Sequence, residues 1–137
     1  MILRLDHVGL ITGDLPGAAG GLELLDLVQT YSGAVPGYGV ATQFWAVAGD
    51  GPAVELVAPA TDDAAVRGQL DRRGPGLHHV AYEVDDIDKD LAVLHERGAV
   101  PVDDRPCQGG RPGLRVAFVH LGPSSNLLVE LVDYGRS

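Results

Sequence analysis

Cysteine and aromatic residues are scarce: 137 residues contain one Cys, one Trp, two Phe and four Tyr, with aromatics at 5% of the chain. Cys107 has no partner for an internal disulfide, and one thiol is no zinc framework. Cations are few as well. Ten Lys and Arg stand against 19 Asp and Glu, for a net charge of −9. This balance excludes the basic footprint that nucleic acids and anionic membrane surfaces require. No apolar run reaches the roughly 18 to 20 residues of a membrane span, and MILRLDHVGLITGDL lacks the charged head and long apolar core of a signal peptide. The expectation is a cytoplasmic protein that binds neither nucleic acid nor membrane.

What is present is apolar surface and turn residues. At 45% hydrophobic and 21% charged, 137 residues suit one domain with a sizeable core. Glycine (19) and proline (9) are abundant without a fixed period while Val and Leu stay plentiful, which excludes collagen and points to tight turns between short elements.

The chain repeats itself. LDHVGLITGDL (Leu5 to Leu15) and LHHVAYEVDDI (Leu77 to Ile87) share a central His followed by Val, a small residue and an acidic turn, and they set His7 on His79. VELV occurs at Val54 to Val57 and again at Val129 to Val132, setting Glu55 on Glu130. The two offsets, 72 and 75 residues, differ by one short loop insertion.

Element signals repeat in the same order. In the first half, Ile2 to Ile11 predicts a strand, Pro16 suits a first helical turn, Ala18 to Leu27 carries the apolar face of a helix weakened by Gly17, Gly20 and Gly21, and Val28 to Ala34, Val40 to Ala48 and Ala53 to Val57 predict three more strands. The last two are expected to join at Gly49-Asp50-Gly51. The second half predicts a strand at Leu77 to Val84, a helix from Ile87 to Arg97 capped by Asp85 or Asp86 and closed by Gly98, then strands at Val100 to Asp103, Arg115 to His120 and Leu127 to Val132. Thr61 to Arg73 reads as a helix linking the halves. The resulting expectation is an α+β domain spanning 1–137: a βαβββ module over 1–60, the linking helix over 61–73, and a second βαβββ module over 74–137.

One His on a strand is ordinarily a surface or hydrogen-bonded interior residue. Two at equivalent places, each matched by a Glu inside an apolar strand, are a stronger signal, because a carboxylate is rarely buried without a partner or a metal. With period 2, Glu55 projects opposite to Val54 and Leu56, toward a concave interior. His7, Glu55, His79 and Glu130 together make an N2O2 set suited to a divalent ion such as Co, Mn, Ni, Zn or Fe, with room for water or substrate. The alternative is four polar residues lining a solvated cleft. His78 is one residue out of phase and belongs to the other face.

The duplicated order and the four landmarks resemble the vicinal oxygen chelate superfamily, which includes glyoxalase I, extradiol dioxygenases, bleomycin-resistance proteins and methylmalonyl-CoA epimerase. The resemblance covers nearly the whole chain and is nearest to the epimerases in GPGLHHVAYEVDDID (Gly74 to Asp88) and VAFVHLGPSSNLLVELVDY (Val116 to Tyr134). It implies a concave metal-site cavity, with His7, Glu55, His79 and Glu130 as ligands. It also implies enolate stabilisation on a carbonyl or acyl-CoA substrate, with Glu130 doubling as acid/base. A second glutamate is implied in a segment resembling Glu-Gln-Gly-Val, where this chain has Gly37-Tyr38-Gly39-Val40. Tyr38, Gln43 or a metal-bound water is the candidate substitute, although a tyrosine near its reference pKa of about 10 is a poor base.

Nine of the ten cations are Arg, and guanidinium forks suit the phosphates of CoA. Arg115 beside the loop CQGGRPGLR is one candidate, and solvated surface arginines are the competing reading. Gln43, Trp45 and Phe118 are further candidates to bind substrate, although aromatics are also ordinary core. Three functions stay open: an epimerase-like isomerase or lyase, a metal enzyme of specialised metabolism that rearranges or opens a natural product, and a drug-sequestering binding protein. Superfamily members commonly pair, so the resemblance also implies a homodimer.

Overall fold

The computed structural model describes residues 1–47 and 51–136. The expected turn at Gly49-Asp50-Gly51 falls largely outside these described residues. Two compact units are present, one of His7–His78 and one of Met1–Asp6 with His79–Ser137.

In the unit His7–His78, strand β1 (Ile2–Ile11) enters through its second half, followed by helix α1 (Leu15–Glu23) and strands β2 (Val28–Val35), β3 (Val40–Ala46) and β4 (Ala53–Pro59). Helix α2 (Ala65–Arg73) closes the unit. The strands lie in the order β2-β3-β4-β1, antiparallel except for the parallel pair β1 and β4. Helix α1 covers one face, packing Ala19 with Trp45 and Leu56. The other face carries Ile11, Val35, Val40 and Val57, packed with Ala64 and Val66.

Helix α1 starts where Pro16 marks its first turn and ends earlier than its apolar spacing suggests. The Asp14 carboxylate accepts from the Gly17 amide at 3.0 Å, and Pro16 fits the first turn, so capping fixes the start. At the other end Asp26 adopts a left-handed φ of 59°, and Leu24 and Leu25 lie exposed in a terminal turn instead of extending the helix. Helix α2 occupies the later part of the segment Thr61 to Arg73, with Arg72 and Arg73 in its last turn.

The second unit sets the first residues of β1 with β5 (Gly76–Val84), α3 (Ile87–Glu96), β6 (Val100–Pro101), β7 (Cys107–Gln108), β8 (Arg115–His120) and β9 (Leu128–Asp133). The order is β1-β5-β9-β8-β6, with β7 beside β8. Strands β5 and β9 are parallel, and the pairs within β6 to β9 are antiparallel. Asp86 caps α3 by accepting from the Lys89 amide at 3.2 Å, and Gly98 follows with φ of 98°. Ile87 and Leu91 of α3 bury against Val84, Ala117, Val119, Val129 and Leu131. Each contributes about 1.5–3 kcal/mol by removal from water. The strand expected over Val100 to Asp103 stops at Pro101, because Val102 and Asp103 both turn their amides to the Phe118 carbonyl. The short strand β7 has no counterpart in the expected order. The fold is α+β, with three α-helices among the described residues and an open, mixed sheet.

Candidate metal and active site

Two registers repeat. In the first unit Glu55 lies opposite Gly9 on one side and Phe44 on the other. In the second, Glu130 lies opposite Ala81 and Phe118. His7 and His79 each stand two residues before the residue that faces the glutamate, so strand alternation puts imidazole, carboxylate and phenyl ring on one face in both units.

The side chains match accordingly. His7 Nε2 lies 3.2 Å from Glu55 Oε1, and His79 Nε2 lies 3.3 Å from Glu130 Oε1. The His7 ring meets Phe44 edge-to-face at 5.1 Å, and the His79 ring meets Phe118 at 5.3 Å. All four polar residues are buried, at 1% to 6% exposure. Burying an imidazole and a carboxylate side by side is costly unless something compensates the charge.

A cation fits each pair. Two ligand atoms about 2.1 Å from one ion, at angles between octahedral and tetrahedral, lie about 3.0–3.4 Å apart, which is the spacing found in each unit. Among the described residues, His7, Glu55, His79 and Glu130 are the set offering ligand atoms for a metal ion. Nitrogen and carboxylate donors without thiolate suit a borderline divalent metal.

The units differ around the carboxylates. The Thr42 hydroxyl, 1% exposed, donates to Glu55 Oε2 at 2.5 Å and fixes that carboxylate from outside the ligand set. Val116 takes the corresponding place on β8 and offers no donor. Sequence reading passes over Thr42; the only available signal is the alternation Val40, Thr42, Phe44, which puts it on the face of Glu55 once the register is known.

The other expected site residues divide by face. Phe118 shares the face of Glu130. Tyr38 lies in a short 3-10 turn, Pro36–Tyr38, and packs on the cluster of Ile11, Val40 and Val57, on the face of Glu55. Gln43 and Trp45 do not join them. Trp45 is buried against Ala19 of α1, and its Nε1 donates to Gln43 Oε1 at 3.1 Å, so both belong to the helix-covered face. Arg115 is exposed and pairs with Asp88 of α3 at 3.1 Å, on the face opposite to Phe118.

The sequence profile described as the glyoxalase/bleomycin resistance protein/dioxygenase superfamily matches residues 6–118. An ethylmalonyl-CoA/methylmalonyl-CoA epimerase of Cereibacter sphaeroides is 31% identical over 135 residues, 96% of this chain and 98% of that protein. The uncharacterised Bacillus subtilis protein YqjC is 29% identical over 131 residues, covering 95% and 91%. Among solved structures, a Streptomyces coelicolor methylmalonyl-CoA epimerase variant in complex with 2-nitronate-propionyl-CoA superposes with a TM-score of 0.89 at 25% identity, covering 97% of this chain and 98% of that one. The Mycobacterium tuberculosis methylmalonyl-CoA epimerase gives 0.87 at 28% identity, covering 96% and 88%. The chain therefore belongs to the glyoxalase/bleomycin resistance/dioxygenase superfamily, with methylmalonyl-CoA epimerases among its homologues and structural neighbours.

Proposed function

We propose that the protein is a metal-dependent, epimerase-like isomerase acting at the carbon beside the thioester of an acyl-CoA, with His7, Glu55, His79 and Glu130 binding one divalent ion. The observation that carries this reading is the repeated imidazole–carboxylate pair, spaced 3.2 Å in one unit and 3.3 Å in the other. The names of its epimerase relatives support the substrate class. An ion held there supplies Lewis-acid polarisation of a carbonyl or thioester oxygen, which acidifies the adjacent C–H.

The chain's own residues then divide the work. Glu130 takes the α-proton and returns it, and Val116 beside it leaves that task to the carboxylate, whereas Thr42 fixes Glu55 in place. Tyr38 is the candidate to deliver a proton from the other face. Phe44 and Phe118 pack edge-to-face against the imidazoles and hold their orientation.

The test is metal content of protein purified without chelator, followed by exchange of substrate α-hydrogen for deuterium with methylmalonyl-CoA and simple acyl-CoAs. About one ion per chain with α-exchange is expected, and Glu130→Gln should slow exchange by roughly 10²–10⁴-fold. Wild-type metal and wild-type exchange in that variant would sink the role of Glu130. A second reading keeps the metal and takes the substrate from specialised metabolism. It is favoured by Gly37, which stands where the epimerase pattern has a glutamate, and metal binding without exchange on any acyl-CoA would select it.

A further inference from the structure

Among the described residues, nothing uses the hydroxyl of Tyr31. It lies on β2 opposite Phe44, after a register shift between Gln29 and Tyr31 that sets the ring on the same face as Phe44, Glu55 and His7. Its ring meets Phe44 edge-to-face at 6.3 Å, and Phe44 in turn meets His7 at 5.1 Å. Beyond Phe44 the ring lies across Gly33. A Cβ built there would come within 2.5 Å of the Tyr31 hydroxyl and 2.8 Å of the ring, so only glycine leaves this space open.

That cradle fixes where the hydroxyl stands. Gly33 faces Thr42 across the sheet, and Thr42 donates to Glu55. The phenolic oxygen is therefore about one strand spacing, roughly 5 Å, from the residue that fixes the proposed ligand. Tyr31 is only partly buried, and among the described residues its hydroxyl has no hydrogen-bond partner. Phenylalanine would satisfy the packing equally well, so the oxygen is left for a ligand.

We propose that Tyr31 is a specificity-determining residue whose hydroxyl donates to the carboxylate of a 2-carboxyacyl-CoA, an inference that rests on the acyl-CoA reading above. A neutral donor suits this position because it recognises the anion by a charge-assisted hydrogen bond and adds no second cation beside the proposed ion. The hydroxyl thereby separates substrates that carry the carboxylate from those that lack it.

The experiment uses methylmalonyl-CoA and propionyl-CoA, which differ by that carboxylate, titrated calorimetrically into metal-loaded wild type, Tyr31→Phe and Gly33→Ala. Tyr31→Phe is expected to keep its metal and its melting temperature, to lose about tenfold in affinity for methylmalonyl-CoA, about 1.4 kcal/mol, and to bind propionyl-CoA as before. Gly33→Ala keeps the hydroxyl but drives it from its place, and should reproduce the selective loss. Unchanged affinities, or equal loss for both probes, would overturn the assignment of Tyr31 while leaving the acyl-CoA reading intact. A wild type that binds neither probe would overturn that reading and this inference with it.

Discussion

Glycine at position 37 is the residue with most influence on which reaction is available. The pattern that the chain resembles has a glutamate there, and this chain supplies neither a carboxylate nor any other side chain. Nothing in the fold demands the glycine: its φ is not in the left-handed region, and a Cβ built on it meets no atom within 4 Å. Gly37→Glu is therefore sterically tolerated, and it adds an acid/base on the turn that carries Tyr38. It is expected to raise conversion of one methylmalonyl-CoA epimer to the other at least tenfold, while α-deuterium exchange, which a single base suffices to perform, rises less. Polarimetric and exchange rates measured side by side check this, and an unchanged ratio would show that position 37 does not face the reacting carbon. At this scale the sequence announces His7, Glu55, His79 and Glu130 because a duplicated motif repeats them. Gln43, Trp45 and Arg115 are not separable in the same way. Whether a strand residue faces Glu55 or α1 depends on parity and on cross-strand register, and a one-residue slip reverses the face. The bulge that aims Tyr31 is equally silent in the sequence.

The first six residues show how one element ties down its unit. Asp6, 8% exposed, accepts from the Tyr134 hydroxyl at 2.6 Å and from Arg111 at 3.1 Å, while Arg4 pairs with the buried Glu83 at 2.8 Å. Arg136 lies 4.3 Å over the Tyr134 ring. Burial, and then the hydrogen bond to Asp6, push the Tyr134 phenol well above its ordinary value of 10.0. In the unfolded chain the same phenol loses its proton near 10. The folded state therefore holds a proton that the unfolded state releases, so this contribution is full below about pH 10 and is lost as the pH rises further. Tyr134→Phe should cost about 1–2 kcal/mol at neutral pH, through the lost hydrogen bond and the altered surroundings of Asp6. Urea unfolding of wild type and variant between pH 7 and 11 should give curves that converge above pH 10; parallel curves would mean that Tyr134 is not coupled to folding in this way. Local signals foretold β1, β8 and α3 well, through alternation, the Asp86 cap and Gly98. They placed the end of α1 too late because Asp26, not the apolar spacing, sets it. They also missed β7, two residues long and held by pairing with β8.

For the molecule as a whole, the duplication was legible because each half repeats a strand, a helix and a glutamate-bearing strand in the same order. The reassignment of Met1–Asp6 to the later unit was not, since it depends on partners more than 70 residues away, at Glu83, Arg111 and Tyr134. The proposed ion draws one imidazole and one carboxylate from each unit, which makes its energetics different from those of two independent half-sites. An ion that binds only the folded chain stabilises it by RT ln(1 + [M]/Kd), about 2.7 kcal/mol at one hundred times Kd. For a chain of this size, stripping the metal should then lower the melting temperature by roughly 10 °C. With four ligands on one ion, metal analysis should give one equivalent per chain, and either His7→Ala or His79→Ala alone should abolish most of that shift, since each removes a ligand from the same site. If each pair instead bound its own ion, the wild type would take up two equivalents and each variant would keep one of them, with about half of the shift remaining. Thermal melts with and without chelator on the three proteins, read beside their metal content, distinguish these cases, and the second outcome would overturn the single-ion site while leaving both imidazole–carboxylate pairs as metal ligands.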